Sequence, residues 1–241
     1  MYPKIKFKIS AKKDIDTLLA FTKDANFDGG ENLNWAIFKK YPELKKYYKK
    51  NKIIDLKSLE NFIKIKYKKE KDTFEKNLKI YEKNWSKKEQ GFFRLTNELF
   101  KEKYWTKGKY IAFSTIWNMF PRFLEDKTFQ VPYKYRKKKY VNVVIAHEML
   151  HFIFYEYIFS EYPKYKKDKY NFLIWNTSEI FNEVVQNSSK WLKFFKVKTM
   201  GYSIHEDIVK KLGKKYYQKS VIDKNKLIED ILKEVENMKM E

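Results

Sequence analysis

The amino-acid sequence predicts a mostly helical α+β fold, with a small sheet packed on a helix that carries His147 and His151 and a second helix that carries glutamates. Three observations lead there. Apolar residues recur at three- and four-residue spacing over most of the chain, whereas only a few short stretches alternate or concentrate β-branched and aromatic residues. The 241 residues are 43% hydrophobic and 19% aromatic, enough for a packed core, and only six glycines and five prolines exclude a loop-rich or low-complexity chain. Two of the three histidines stand four apart in His147-Glu148-Met149-Leu150-His151. On a helix that spacing brings both rings to one face a turn apart; on a strand it leaves them about 13 Å apart.

Three regions follow in order. Residues 1–90 form a lysine-rich, mostly helical N-terminal region. It opens on an alternating strand at Lys4–Ile9, continues in a helix after Ser10 that includes Ile15, Leu18, Leu19 and Phe21, and turns at Phe27-Asp-Gly-Gly30. Helical periodicity resumes near Trp35 and across Leu59–Tyr81, where Phe62, Ile65, Tyr67, Phe74, Leu78 and Tyr81 line one side. Residues 91–213 form the second region, set off by Lys87-Lys-Glu-Gln-Gly91. It holds a strand at Lys109–Trp117, a short run at Thr128–Pro132 that pairs beside it, and the histidine helix from about 140 to 160, stopped by Pro163. A second helix follows within Asn171–Asn187. Residues 214–241 form a helical tail including the amphipathic stretch Val221–Met238.

The histidine helix is apolar on nearly every side and therefore belongs in an interior. Two histidines and a glutamate are costly there unless something satisfies them, and a metal ion does so. Imidazoles one turn apart suit a tetrahedral Zn²⁺, with Glu148 placed to act as the base on water. The absence of cysteine confines the ligands to histidine and carboxylate. A third histidine six residues on would mark a metzincin, but position 157 is Tyr, so that class is excluded.

Over roughly residues 105–190 the chain resembles the gluzincin zinc metallopeptidases, with a zincin-like core. The resemblance implies a glutamate ligand on the following helix, and Glu179 is favoured over Glu183. With Glu179 as ligand, Glu183 falls in the place of the acid that steadies the first histidine. With Glu183 as ligand, Asn187 takes that place. Asn176-x-x-Glu179 also fits a capping box. The resemblance further implies an edge strand that binds extended substrate, for which Lys109–Trp117 is the candidate, although an internal strand fits the same residues. A donor for the developing oxyanion is needed too, and His205 or Tyr202 could supply it. The stretch around them also reads as a loop entering a helix at 206–212, which would leave His205 on the surface.

The expected activity is hydrolysis of a peptide or protein substrate. The formal charge of +22, with only Arg94, Arg122 and Arg136 among 53 basic residues, favours nonspecific over base-specific contact with nucleic acid through a lysine-rich surface. Two other classes fit the same residues: a DNA-associated protease of Spartan-like role, and a non-catalytic protein with a structural metal site. No signal segment or membrane-spanning run is visible, so a cytoplasmic location is the expectation.

Overall fold

A computed structural model describes residues 2–23, 34–50 and 52–238. The turn expected at Phe27-Asp-Gly-Gly30 lies outside the described residues. In chain order the elements are β1 (Lys4–Ile9), α1 (Ala11–Lys23), α2 (Asn34–Lys40), β2 (Tyr48–Lys49), β3 (Lys52–Ile53), α3 (Leu56–Lys69), α4 (Lys71–Ser86), α5 (Glu89–Leu99), β4 (Lys109–Thr115), β5 (Arg122–Phe123), β6 (Thr128–Pro132), α6 (Tyr140–Glu161), α7 (Asn171–Gln186), α8 (Ser189–Phe195), α9 (Glu206–Tyr216) and α10 (Lys224–Met238). The protein is α+β, mostly helical with a small mixed sheet. Its residues fall into two compact units. One is made of Lys4–Asn84 and Lys109–Val141; the other takes in Trp85–Gly108 and the chain from Asn142 on.

The first unit holds the sheet, in the order β1-β4-β6-β5, with β1, β4 and β6 parallel and β5 antiparallel to β6. The run at Thr128–Pro132 does pair beside β4, with Ile111 opposite Thr128. β4 itself is not an edge. β1 pairs along its other side from Lys4↔Lys109 to Ile9↔Ser114, so the strand considered as a substrate edge has no side open to a peptide. Tyr110, Ala112, Ser114 and Thr115 are all buried, as suits a central strand. Exposed Lys4, Lys6 and Lys8 instead mark β1 as the blunted edge.

Helices α1 to α4 supply the rest of this unit's core. Leu59, Ile63 and Tyr67 recur at four-residue spacing and bury one face of α3 beside Leu18, Leu44 and Phe74. Each such aliphatic side chain contributes about 1.5–3 kcal/mol. Ile65, expected on that face, is exposed, because two residues on from Ile63 the helix has turned away. The expected run over Leu59–Tyr81 also breaks in two at Glu70, and the rings of Tyr67 and Phe74 stack across the break with centroids 4.4 Å apart. One acid lies wholly inside. Asp14 accepts hydrogen bonds from Tyr67 Oη (2.7 Å), the Ile116 N–H (2.8 Å) and Gln130 Nε2 (2.8 Å), and burial pushes its carboxyl up to about 6.

The second unit is helical among the described residues. α6 spans Tyr140–Glu161, as the apolar run requires, and buries Val143 to Ala146, Met149, Leu150 and Phe152 to Phe154. α7 packs against α9 and α10, and Phe181 on α7 meets Phe154 on α6 at 5.1 Å between ring centroids. The C-terminal helix begins at Lys224, not Val221. The Asp223 carboxylate accepts from the N–H groups of Asn225 (3.0 Å) and Lys226 (3.1 Å), which sets the start. Among the described residues, no helix is long and apolar enough to cross a membrane.

Candidate metal centre

α7 carries a run of buried polar side chains: Asn176, Thr177, Ser178, Glu179, Asn182 and Gln186. Buried polar groups need partners, and on the side facing α6 two amides find them one turn apart. Asn182 Nδ2 donates to the His147 carbonyl at 3.0 Å, and Gln186 Nε2 donates to the Val143 carbonyl at 3.1 Å. Because 182 and 186 are four apart, as are 143 and 147, the pair sets the register of the two helices.

That register brings the ligand-type atoms of three residues together. His147 Nε2 lies 3.1 Å from Glu179 Oε2, His151 Nε2 lies 3.0 Å from His147 Nε2, and His151 Nε2 lies 3.3 Å from Glu179 Oε1. Bonds of about 2.0–2.1 Å to a tetrahedral ion separate adjacent ligand atoms by about 3.3 Å; one ligand atom from each of His147, His151 and Glu179 lies within 4.8 Å of the others, so the three residues could hold a metal ion. His151 and Glu179 are buried, and His147 keeps 23% of its side chain exposed. Burial disfavours the charged His147 ring, but the bonded Glu179 carboxylate, helped by nearby Glu148 and by Gln186, outweighs it and pushes the ring up to about 9. In a cluster this tight a proton stands where a cation fits, since metal binding displaces protons from its ligands.

Gln186 also fixes which nitrogen of His147 points inward. Its Nε2 is committed to the Val143 carbonyl, so its Oε1 is the acceptor 3.0 Å from His147 Nδ1, which must carry the hydrogen. The lone pair on Nε2 is thereby aimed into the cluster. This residue was missed in the sequence, where Glu183 or Asn187 was expected in that role. The signal was seven residues on from Glu179, two turns along the same face.

The other expected residues are placed as follows. Glu148 is buried within electrostatic reach of His147. Glu183 is not in the cluster: burial raises its pKa, and its carboxylate accepts the Gly201 N–H. Asn187 binds Thr199 through both ends of its amide. Asn176 does not cap a helix, since α7 begins five residues earlier at Asn171. Its Nδ2 donates to the Phe172 carbonyl, leaving Oδ1 to accept from His205 Nε2 at 2.6 Å. His205 is therefore wholly buried rather than on the surface, and burial pushes it down to about 4 against the opposing pull of Glu179. Tyr202 is 41% exposed, with its ring 5.1 Å from that of Trp175.

No protein-family model matches the chain, nor does any curated protein or solved structure.

Proposed function

We propose that the chain is a zinc-dependent metallopeptidase with a zincin-like core of the gluzincin kind, in which His147, His151 and Glu179 hold the ion. The observation that carries this reading is the convergence of two imidazole nitrogens and a carboxylate to within 3.0–3.3 Å, with a buried glutamate next in sequence to the first histidine. When bound, the ion would polarise a substrate carbonyl and acidify water. Glu148 takes the proton of the water that attacks the peptide carbon, and returns it to the leaving amine as the C–N bond breaks. Gln186 holds the first histidine in its ligating tautomer. His205, with its Nε2 hydrogen committed to Asn176, acts as a positioning residue for the wall beside Trp175. Tyr202 is the exposed one of the two residues considered as oxyanion donors.

Three proteins test the reading: wild type, Glu148→Gln and His151→Ala, each assayed for bound zinc and for cleavage of a denatured protein mixture. Wild type should bind zinc and cleave. Glu148→Gln should keep zinc and lose cleavage, and His151→Ala should lose both. Equal cleavage by wild type and Glu148→Gln removes the role given to Glu148. Zinc without cleavage in wild type favours a structural metal site instead.

A further inference from the structure

After α8 the chain reverses at Lys196, whose φ of 58° lies in the left-handed region, and runs back along α7 as a strap from 197 to 205. Side chains of α7 and of Asn187, the residue that ends it, hold this strap at three places. Asn187 imitates a neighbouring strand: its Oδ1 accepts the Thr199 N–H at 2.9 Å and its Nδ2 donates to the Thr199 carbonyl at 3.2 Å. One turn back along the helix, Glu183 accepts the Gly201 N–H. Further back, Asn176 binds His205. Four helical residues rise about 6 Å, and two residues of extended chain span nearly the same, about 6.5 Å. The two anchor pairs therefore match when Thr199 to Gly201 is extended.

An extended chain turns the N–H and C=O of successive residues to opposite edges. With Thr199 and Gly201 facing α7, Met200 turns its main-chain groups the other way, on a residue that is 85% exposed. Large apolar side chains gather around it. Met200 and Tyr202 are exposed on the strap, Ile204 is exposed in the single 3-10 turn at Ser203–His205 that ends it, and Phe172, also exposed, stacks on Trp175, which in turn meets Tyr202. An exposed apolar patch of this kind marks an interaction surface. It adjoins the metal cluster, since Glu183 lies within electrostatic reach of His147 and Glu179, and His205 within reach of Glu179. An outward-facing main chain at Met200, beside these side chains, suits an extended occupant that pairs backbone to backbone; a helix, whose main-chain groups are already bonded, could not use it.

We propose that the strap is the edge on which an unfolded, apolar stretch of polypeptide substrate pairs, with Met200 making the main-chain hydrogen bonds and Tyr202, Ile204, Trp175 and Phe172 receiving bulky side chains. This deepens, and rests on, the peptidase reading above.

The probe is a fluorescent ten-residue peptide, blocked at both ends, that alternates Leu or Phe with Thr. Its counterpart carries Ser at every apolar position. Binding is followed by anisotropy on zinc-loaded Glu148→Gln protein, so that no cleavage intervenes. The apolar peptide should bind about ten-fold tighter than the serine peptide, and adding Met200→Pro or Ile204→Asp should each remove about that factor. Zinc content and far-UV circular dichroism should stay unchanged, since both side chains are exposed. Equal affinity for the two peptides, no binding of either, or binding indifferent to both strap substitutions overturns the proposal, as does self-association of the chain through this face. Strap-dependent peptide binding by a wild-type protein that cleaves nothing leaves the proposal standing and removes the peptidase reading. Zinc-dependent cleavage with binding indifferent to the strap does the reverse.

Discussion

Gln186→Met isolates the contribution of a neutral amide to a metal site. The substitution keeps the length of the side chain and removes two hydrogen bonds, one from His147 Nδ1 at 3.0 Å and one to the Val143 carbonyl at 3.1 Å. Without metal the cost is modest. The Val143 carbonyl lies within α6 and keeps its helical partner, so about 1 kcal/mol of stability is lost. With metal the cost is larger, because the imidazole is no longer held with Nε2 inward. Loss of such a supporting partner lowers metal affinity about 10- to 100-fold, or about 1.4–2.7 kcal/mol. Competition with a chromophoric zinc chelator measures the affinity, and urea unfolding of the metal-free protein measures stability separately. Asn182→Leu is the control, since it removes a comparable inter-helix bond to the His147 carbonyl without touching the ring. Its zinc affinity should fall by less than about three-fold. If both substitutions weaken zinc equally, the amide acts through helix packing and the tautomer argument fails.

Further outcomes follow from other contacts. Asp14 is buried and its pKa is raised to about 6, so the folded state favours the neutral acid: the stabilisation is complete below the unfolded value near 3.8 and is lost as pH rises through 6. Between pH 4 and 8 the wild type should therefore lose about 2.4 kcal/mol relative to Asp14→Asn in urea unfolding, and a constant difference would refute the assignment. A Cβ at Gly201 would lie 2.1 Å from Glu183 Oε2, so Gly201→Ala should cost about 1 kcal/mol, and a Glu183→Ala background should abolish that cost. Additive effects in that double-mutant cycle would mean the two residues do not meet. Phe181→Ala, which empties a wholly buried site between α6 and α7, should cost about 3–5 kcal/mol in thermal unfolding.

How much of this was readable in the residues depends on how local the signal is. The histidine helix was legible because fifteen apolar positions around one motif leave no other element, and α6 ends within a residue of the expected stop. Glu179 was favoured over Glu183 only narrowly, since both lie on an apolar helix one turn apart; the Asn182 and Gln186 bonds that set α7 against α6 bring Glu179, not Glu183, beside the two histidines. β4 was legible as a strand but not as a central one, because its second partner, β1, lies more than a hundred residues earlier. Ile65 was misplaced because its spacing to Phe62 is helical, yet the buried face follows Leu59, Ile63 and Tyr67. His205 gave no local hint of burial: its surroundings come from Trp175 and Asn176 on another helix.

The interleaving of the two units bears on how the chain is made. Every stretch of the sheet-bearing unit has left the ribosome once Val141 has emerged, although Trp85–Gly108 has by then been synthesised in its midst and awaits partners. Apart from Tyr2, whose ring stacks on Phe93, those partners arrive with the C-terminal hundred residues, which bring both imidazoles, the carboxylate and the strap. During translation the segment between α4 and β4 is thus a stranded piece of the later unit, and a nascent chain interrupted after β6 would carry it uncovered. Helper proteins that shield apolar nascent segments would find their target there, around Phe92, Phe93 and Trp105.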